Sequence, residues 1–228
     1  MNIDNPEINR RIEDKHRLVP GKSALLVIDM QHGFLDEGAS LEVAAGRAII
    51  PTIRSLVDAF RAKEAPVIFT EFVYADNVPC LRGDPFGVEH LPAKEGEPTG
   101  LEHPSSNCLI GPNAGEGVES AETVEELTPL RGELVIQGHT YDKFYGTPLD
   151  LSLRSQGITH LVATGITTDV CVSGTVISGT TRDYRVTLAT DGVASPFPDL
   201  HEAALKLLAH KFARLKTSEE LIDELTSF

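Results

Sequence analysis

Apolar residues fall along the chain in two alternating rhythms. ALLVIDM (Ala24 to Met30) is an apolar run broken only by its aspartate. PVIFTEF (Pro66 to Phe72), ELVIQ (Glu133 to Gln137), THLVATG (Thr159 to Gly165) and RVTLATD (Arg185 to Asp191) are short runs rich in β-branched residues. Runs of this kind predict strands covered on both faces, as in a parallel sheet. Between them the apolar positions recur at helical spacing. From about Leu41 to Ala62, residues Val43, Ile50, Ile53, Leu56, Val57 and Phe60 share one face, and Pro51 marks a kink or the true helix start. Further helices are expected from Thr147-Pro148 with Leu149, Leu151 and Leu153, from about Asp169 to Arg182, and from Pro198 to about His210. ARLKT reads as a last edge strand before a C-terminal helix. Strands alternating with helices predict βαβ units with right-handed crossovers, hence an α/β fold.

The pattern fails in two places. Residues 1–22 are polar, an N-terminal extension without the apolar core of a signal peptide. From about Val73 to Gly117 the chain is rich in Pro, Gly, Asp and Asn and has no period. Because βα units resume after it, this stretch reads as a lid or pocket wall within one domain spanning 23–228. No apolar run approaches the roughly 20 residues that cross a bilayer. A net charge of −14 argues against nucleic acid or an anionic membrane as partner, since either calls for a basic patch. The 3 cysteines form no CxxC pair and no disulfide framework. The expectation is a cytoplasmic protein with reduced thiols.

In open parallel sheets, ligands bind at the carboxyl ends of the strands. The residues expected there are Asp29 and Gln31 after the first strand, Glu71 at the end of the second, and Gly138 and His139 after the third. The fourth leads to Ile166, Thr167 and Cys171, and the fifth ends in Asp191. Cys171 falls in the first turn of its helix, behind Thr167 or Thr168 as N-cap. A helix N-terminus lowers a thiol pKa and offers backbone N–H groups to an oxyanion. The address suits a thiolate nucleophile; a small buried core residue would also fit it. Asp29 closes a strand of Leu, Val and Ile, where a carboxylate is costly unless paired or working. It suits a general base, or else a loop cap. Helix-dipole stabilisation is a sufficient reason for Asp169.

LLVIDMQHGFLD together with VATGITTDVCVSGT resembles the isochorismatase-like cysteine hydrolases, a family that includes nicotinamidases, N-carbamoylsarcosine amidases, biuret hydrolases and ureidoacrylate amidohydrolases. YDKFYGTPLDLSLRSQGITHLVATG resembles the segment that links the family's two motifs, and GITTDVCVS looks especially like the biuret-hydrolase branch. The resemblance implies a single-domain, six-stranded, mostly parallel sheet with helices on both faces, assembled as a homo-oligomer (dimer or tetramer). It implies Cys171 as nucleophile, Asp29 as base, a cis peptide at Ile166–Thr167, and an oxyanion hole from the N–H groups of Thr167 and Cys171. Gln31, Phe34, Ile166, Tyr145 and Arg82 are the expected substrate-binding residues, with Tyr74 a further candidate. The nicotinamidases' metal-binding Asp-x-His pattern is absent from TEFVYADNVPCLRGDP, which has Asp76 but no histidine, so no metal and no cofactor are expected. His90 and His103 read as surface residues, and Cys80 and Cys108 as non-catalytic.

One departure matters. The family's lysine stands six residues before the motif phenylalanine, and counting back from Phe144 gives Gly138. Three readings follow. Lys143 takes the lysine's place; or His139 supplies a cation; or the site is altered. The leading function is a cysteine-dependent amidohydrolase acting on a small amide, ureide or carbamoyl compound through an acyl-thioester. The alternatives are an isochorismatase-type hydrolase of another bond, which the cysteine argues against, and a weakened binding protein.

Overall fold

The computed structural model describes residues 5–39, 41–73 and 121–227. Strands Ser23–Ile28 (β1), Val67–Phe72 (β2), Leu134–Gly138 (β3), His160–Ile166 (β4), Arg185–Ala194 (β5) and Arg214–Lys216 (β6) form one 6-stranded sheet in the order β3-β2-β1-β4-β5-β6. Every pairing is parallel. The chain steps outward from β1 to β3, then returns to place β4 on the other side of β1. That reversal opens a crevice at the carboxyl ends of β1 and β4, the position where doubly wound sheets bind ligands.

The apolar runs are explained by what covers them. Leu25, Val27 and Phe69 share one core with Ile53, Leu56 and Phe60 of helix α3 (Ala44–Ala62) and Leu221 of α7 (Ser218–Thr226). Leu26, Ile28 and Ile68 point to the other face. They pack with Leu153 of α4 (Leu149–Ser155), Val176 of α5 (Ser173–Thr181) and Leu208 of α6 (Pro198–Lys211). Side chains alternate across a strand, so a strand buried on both faces must be apolar throughout.

The expected helices need several corrections. The long helix begins at Ala44 and runs through Pro51. Pro51 is exposed, so the carbonyl left without its N–H faces water. Leu149 and Leu153 are buried, but Leu151 is 72% exposed, because a residue two positions on lies across a helix and not beside. The fifth strand continues past Asp191 to Ala194. Asp191 is exposed and accepts hydrogen bonds from Ser218 N (2.8 Å) and Oγ (2.6 Å) at the start of α7. The polar N-terminus contains a helix, α1 (Pro6–His16), capped by Asn5, with Pro6 in its first turn. A short helix, α2 (His32–Leu35), follows β1. Arg214 ties these ends together: it grips Glu224 of α7 at 2.8 and 2.9 Å and reaches Glu13 of α1 at 3.4 Å. Among the described residues no helix is long and apolar enough to cross a membrane.

Gly165, near the end of β4, lies close against the Ile28 backbone of β1. Its φ is +110°, and a Cβ there would lie 2.0 Å from the Ile28 carbonyl oxygen. That neighbour is backbone and cannot step aside. Gly165→Ala is therefore expected to destabilise the fold by roughly 3 kcal/mol or more. Thermal denaturation would read this as a fall in Tm of roughly 6–12 °C; an unchanged Tm would contradict the close approach.

Candidate active site

Asp29 follows β1 directly. Its φ of 53° is left-handed, a region Asp tolerates better than most residues. Strand register pairs Ile28 with Gly165, so Asp29 stands beside the end of β4, from which the turn carrying Cys171 departs. The Asp29 side chain is fully buried. Its Oδ1 accepts a hydrogen bond of 2.8 Å from Thr70 Oγ1 on β2.

The Lys143 ammonium lies 2.7 Å from Asp29 Oδ2, and Lys143 is 1% exposed. The contact is an ion pair without hydrogen-bond alignment, which leaves Oδ2 with acceptor capacity. Nζ also donates to the Thr140 carbonyl at 2.9 Å and sits 5.1 Å from the centre of the Phe72 ring. The ammonium enters here although the chain has Gly138 at the expected position. The turn after β3 is fastened to α5 on both sides of Lys143. Asp142 accepts from Ser178 Oγ at 2.7 Å, and Phe144 is buried against Gly179. Lys143 N donates to Thr175 Oγ1 at 3.2 Å. With its neighbours held against α5, the long side chain runs inward to Asp29.

Cys171 lies in a π-helical turn, Thr168–Val172, that leads into α5. It is buried and forms no disulfide. The Ile166–Thr167 peptide is cis. Thr167 and Cys171 line a cleft of about 330 Å³ with Phe34, Phe72, Tyr141 and Ile166. Phe72 thus touches both parts of the site: it walls the cleft and underlies the Lys143 ammonium.

Other expected residues are placed differently. His139 stacks on Phe72 with ring centres 4.5 Å apart, and its Nδ1 is 3.2 Å from the Val73 carbonyl. The Gln31 amide is committed to backbone. Nε2 donates to Phe72 O at 3.1 Å and Ala121 O at 2.8 Å, and Oε1 accepts from Phe72 N at 2.7 Å. It does not line the cleft, and neither does Tyr145, which is 58% exposed. Arg82, Tyr74, Asp76, Cys80, His90, His103, Cys108 and almost all of the lid at 73–117 lie outside the described residues. Sequence reasoning missed Thr70, Phe72, Tyr141 and Phe197. Each looks like an ordinary strand or loop residue, and only the sheet order brings them together. Among the described residues no group of three or more His, Cys, Asp and Glu stands close enough to hold a metal ion.

Glu71 at the end of β2 is a second buried acid. It accepts from Thr123 N (3.1 Å), Thr123 Oγ1 (3.0 Å) and Gln137 Nε2 (2.9 Å), tying residue 123 to the sheet. Burial pushes its carboxyl pKa up, against the pull of these donors, with the Asp29 charge adding to the rise. A raised folded pKa means the folded state holds its proton more tightly than the unfolded chain does. Glu71 therefore contributes full stability below the unfolded value of 4.5 and loses it as pH rises through the folded value. Glu71→Gln is expected to remove that dependence. Across a Tm series from pH 4 to 8, wild type should fall relative to the variant as pH rises; parallel curves would contradict it.

Residues 23–220 match the Isochorismatase domain family. The ureidoacrylate amidohydrolase RutB of Klebsiella pneumoniae subsp. pneumoniae is 35% identical over 170 residues, covering 72% of this chain and 70% of that protein. Among solved structures, a cysteine hydrolase from Pseudomonas syringae pv. phaseolicola superposes with a TM-score of 0.74 at 22% identity, over 92% of this chain and 95% of that one. N-carbamoylsarcosine amidase from Thermoplasma acidophilum gives a TM-score of 0.65 at 25% identity, over 87% and 97%.

Proposed function

The chain belongs to the isochorismatase family, and from that premise we propose that it is a cysteine-dependent amidohydrolase of a small amide, ureide or carbamoyl compound. The observation that carries the proposal is the buried Lys143–Asp29 pair at 2.7 Å beside the cleft that holds Cys171. Burying two charges costs more than packing apolar side chains of the same volume. A pair kept at a strand-end crevice, against the Phe72 ring that also walls the cleft of Cys171, is better explained by chemistry than by stability.

The steps follow from the placement. Asp29 takes the thiol proton as Cys171 Sγ attacks the substrate carbonyl. The N–H groups of Thr167 and Cys171 hold the resulting oxyanion. The tetrahedral adduct collapses, the C–N bond breaks, and Asp29 returns its proton to the departing amine or ammonia. A water then gives a proton to Asp29 and adds to the thioester, and the C–S bond breaks to release the acid. The proton on Asp29 goes back to the Cys171 thiolate. Lys143 balances the charge of Asp29 in the buried site and fixes its position.

The weakened-site alternative rested on the missing lysine at Gly138. An ammonium in contact with Asp29 counts against that alternative. The direct test is ammonia release from a panel of small amides and ureides by wild type and by Cys171→Ser. A silent wild type across the panel would count against the proposal.

A further inference from the structure

The turn that carries Cys171 is held by a second helix that the reaction above does not use. Thr168–Val172 is a single π-helical turn, a rare geometry that recurs at functional sites. Its first residue, Thr168, is fully buried. The Thr168 carbonyl accepts from Ser173 N and Ser173 Oγ, which closes the turn on itself. The Thr168 hydroxyl is bound from outside the turn: its Oγ1 lies 2.9 Å from Nδ1 of His201 on α6. With no exposed surface, Thr168 cannot exchange that partner for water without opening the packing around it.

Helix α6 is firm where it makes this contact. Pro198 stands in its first turn, and His201 N donates to the Phe197 carbonyl at 2.9 Å. Pro196 and Phe197, just ahead of the helix, line the cleft; His201 does not. The start of α6 therefore touches the cleft at one point and the turn of the nucleophile at another. Thr168 stands between Thr167 and Cys171 in sequence, the two residues whose N–H groups hold the oxyanion in the reaction proposed above. A shift of Thr168 is passed to both through this short turn, and a displacement of about 1 Å at a reacting group can cost about 10²-fold in rate.

We propose that His201 is a positioning residue: through Thr168 Oγ1 it fixes the π-helical turn, so that the Cys171 thiol and the Thr167 and Cys171 N–H groups stand in place for attack. This rests on the amidohydrolase reading above and extends it to a residue outside the cleft.

The test is the rate at which iodoacetamide labels Cys171 in the whole protein at neutral pH. It is followed on the Cys171 peptide by mass spectrometry, so that Cys80 and Cys108 do not count. His201→Ala is expected to slow labelling by about tenfold or more, the scale of one buried polar group left without its partner. His201→Asn places an amide near the position of Nδ1, able to donate or accept, and should restore the rate to within about threefold of wild type. Thr168→Val keeps the shape of the side chain without its hydroxyl and should match His201→Ala. The double variant should be no slower than either single one, because both remove the same contact. A merely structural role would loosen the turn, expose the buried thiol and speed labelling as Tm falls. That result would overturn the proposal, as would wild-type labelling of His201→Ala, equal losses in His201→Ala and His201→Asn, or losses that add in the double variant. Ammonia release reads the hydrolase separately. With an amide or ureide that wild type turns over, His201→Ala should lower kcat by about ten- to a hundredfold with KM within about threefold; an effect confined to KM would overturn the proposal. A wild type silent on the panel whose labelling still follows His201 would sink the amidohydrolase reading and leave the positioning standing.

Discussion

Cys171→Ser is expected to abolish ammonia release, lowering kcat/KM by roughly 10⁴–10⁶-fold, the scale on which removing a covalent nucleophile is felt. The hydroxyl occupies nearly the same space, so the fold should melt within about 2 °C of wild type. Intact-mass measurement during turnover of a slow substrate should show an acyl adduct on wild type and none on Cys171→Ser. Cys171→Ala separates loss of nucleophile from loss of shape, and should be equally inactive. If Cys171→Ala kept activity within tenfold of wild type, direct attack of water would replace the thioester route. The cleft and Asp29 would then be doing a different kind of hydrolysis.

Lys143→Met should fail in two ways at once. Activity is expected to drop by about 10²–10⁴-fold, because Asp29 loses the cation that holds its carboxylate in place. Stability is expected to drop by about 3–5 kcal/mol, because the change strands a fully buried carboxylate without its cation. The two effects separate in the double variant Asp29→Asn/Lys143→Met. With neither charge present, most of the lost stability should return in urea denaturation, while ammonia release stays absent. If the single variant melted like wild type, the pair would not exist in solution as it stands in the structure. If it melted low but stayed active, Lys143 would be a structural residue and His139 the next candidate. Lys143→Arg is a poor rescue here: the wider guanidinium has no room in a site where the ammonium is 1% exposed.

The strands were legible in the sequence because burial on both faces forces them to be apolar throughout. ALLVIDM and THLVATG lie at the centre of the sheet, as such runs should. The first helix is less legible. Asn5-Pro6-Glu7 is a helix start in composition, but only Ile8 and Ile12 follow it at helical spacing, too short an apolar face to extend the signal. Leu151 differs from Leu149 and Leu153 for a reason periodicity supplies, since residues two apart do not share a helix face. Pro51 neither starts nor ends its helix: a proline on the solvent side leaves an orphan carbonyl that water can reach, so the helix continues.

The sequence by itself determined the α/β class and the strand ends at which Asp29 and Cys171 stand, because both follow from local pattern and from the rule that ligands sit at carboxyl ends. It could not decide the cation. Counting residues back from Phe144 treats the turn after β3 as a ruler, but a turn is set by what holds it. Here Asp142 and Phe144 are fixed on α5, and the side chain between them meets the carboxylate of Asp29 in the interior. Nor could it tell that Gln31, close to the base in sequence, spends its amide on the Phe72 and Ala121 backbone. Those are properties of contacts between distant segments, and only the tertiary structure, by placing β2, the turn after β3 and α5 around one crevice, decided them.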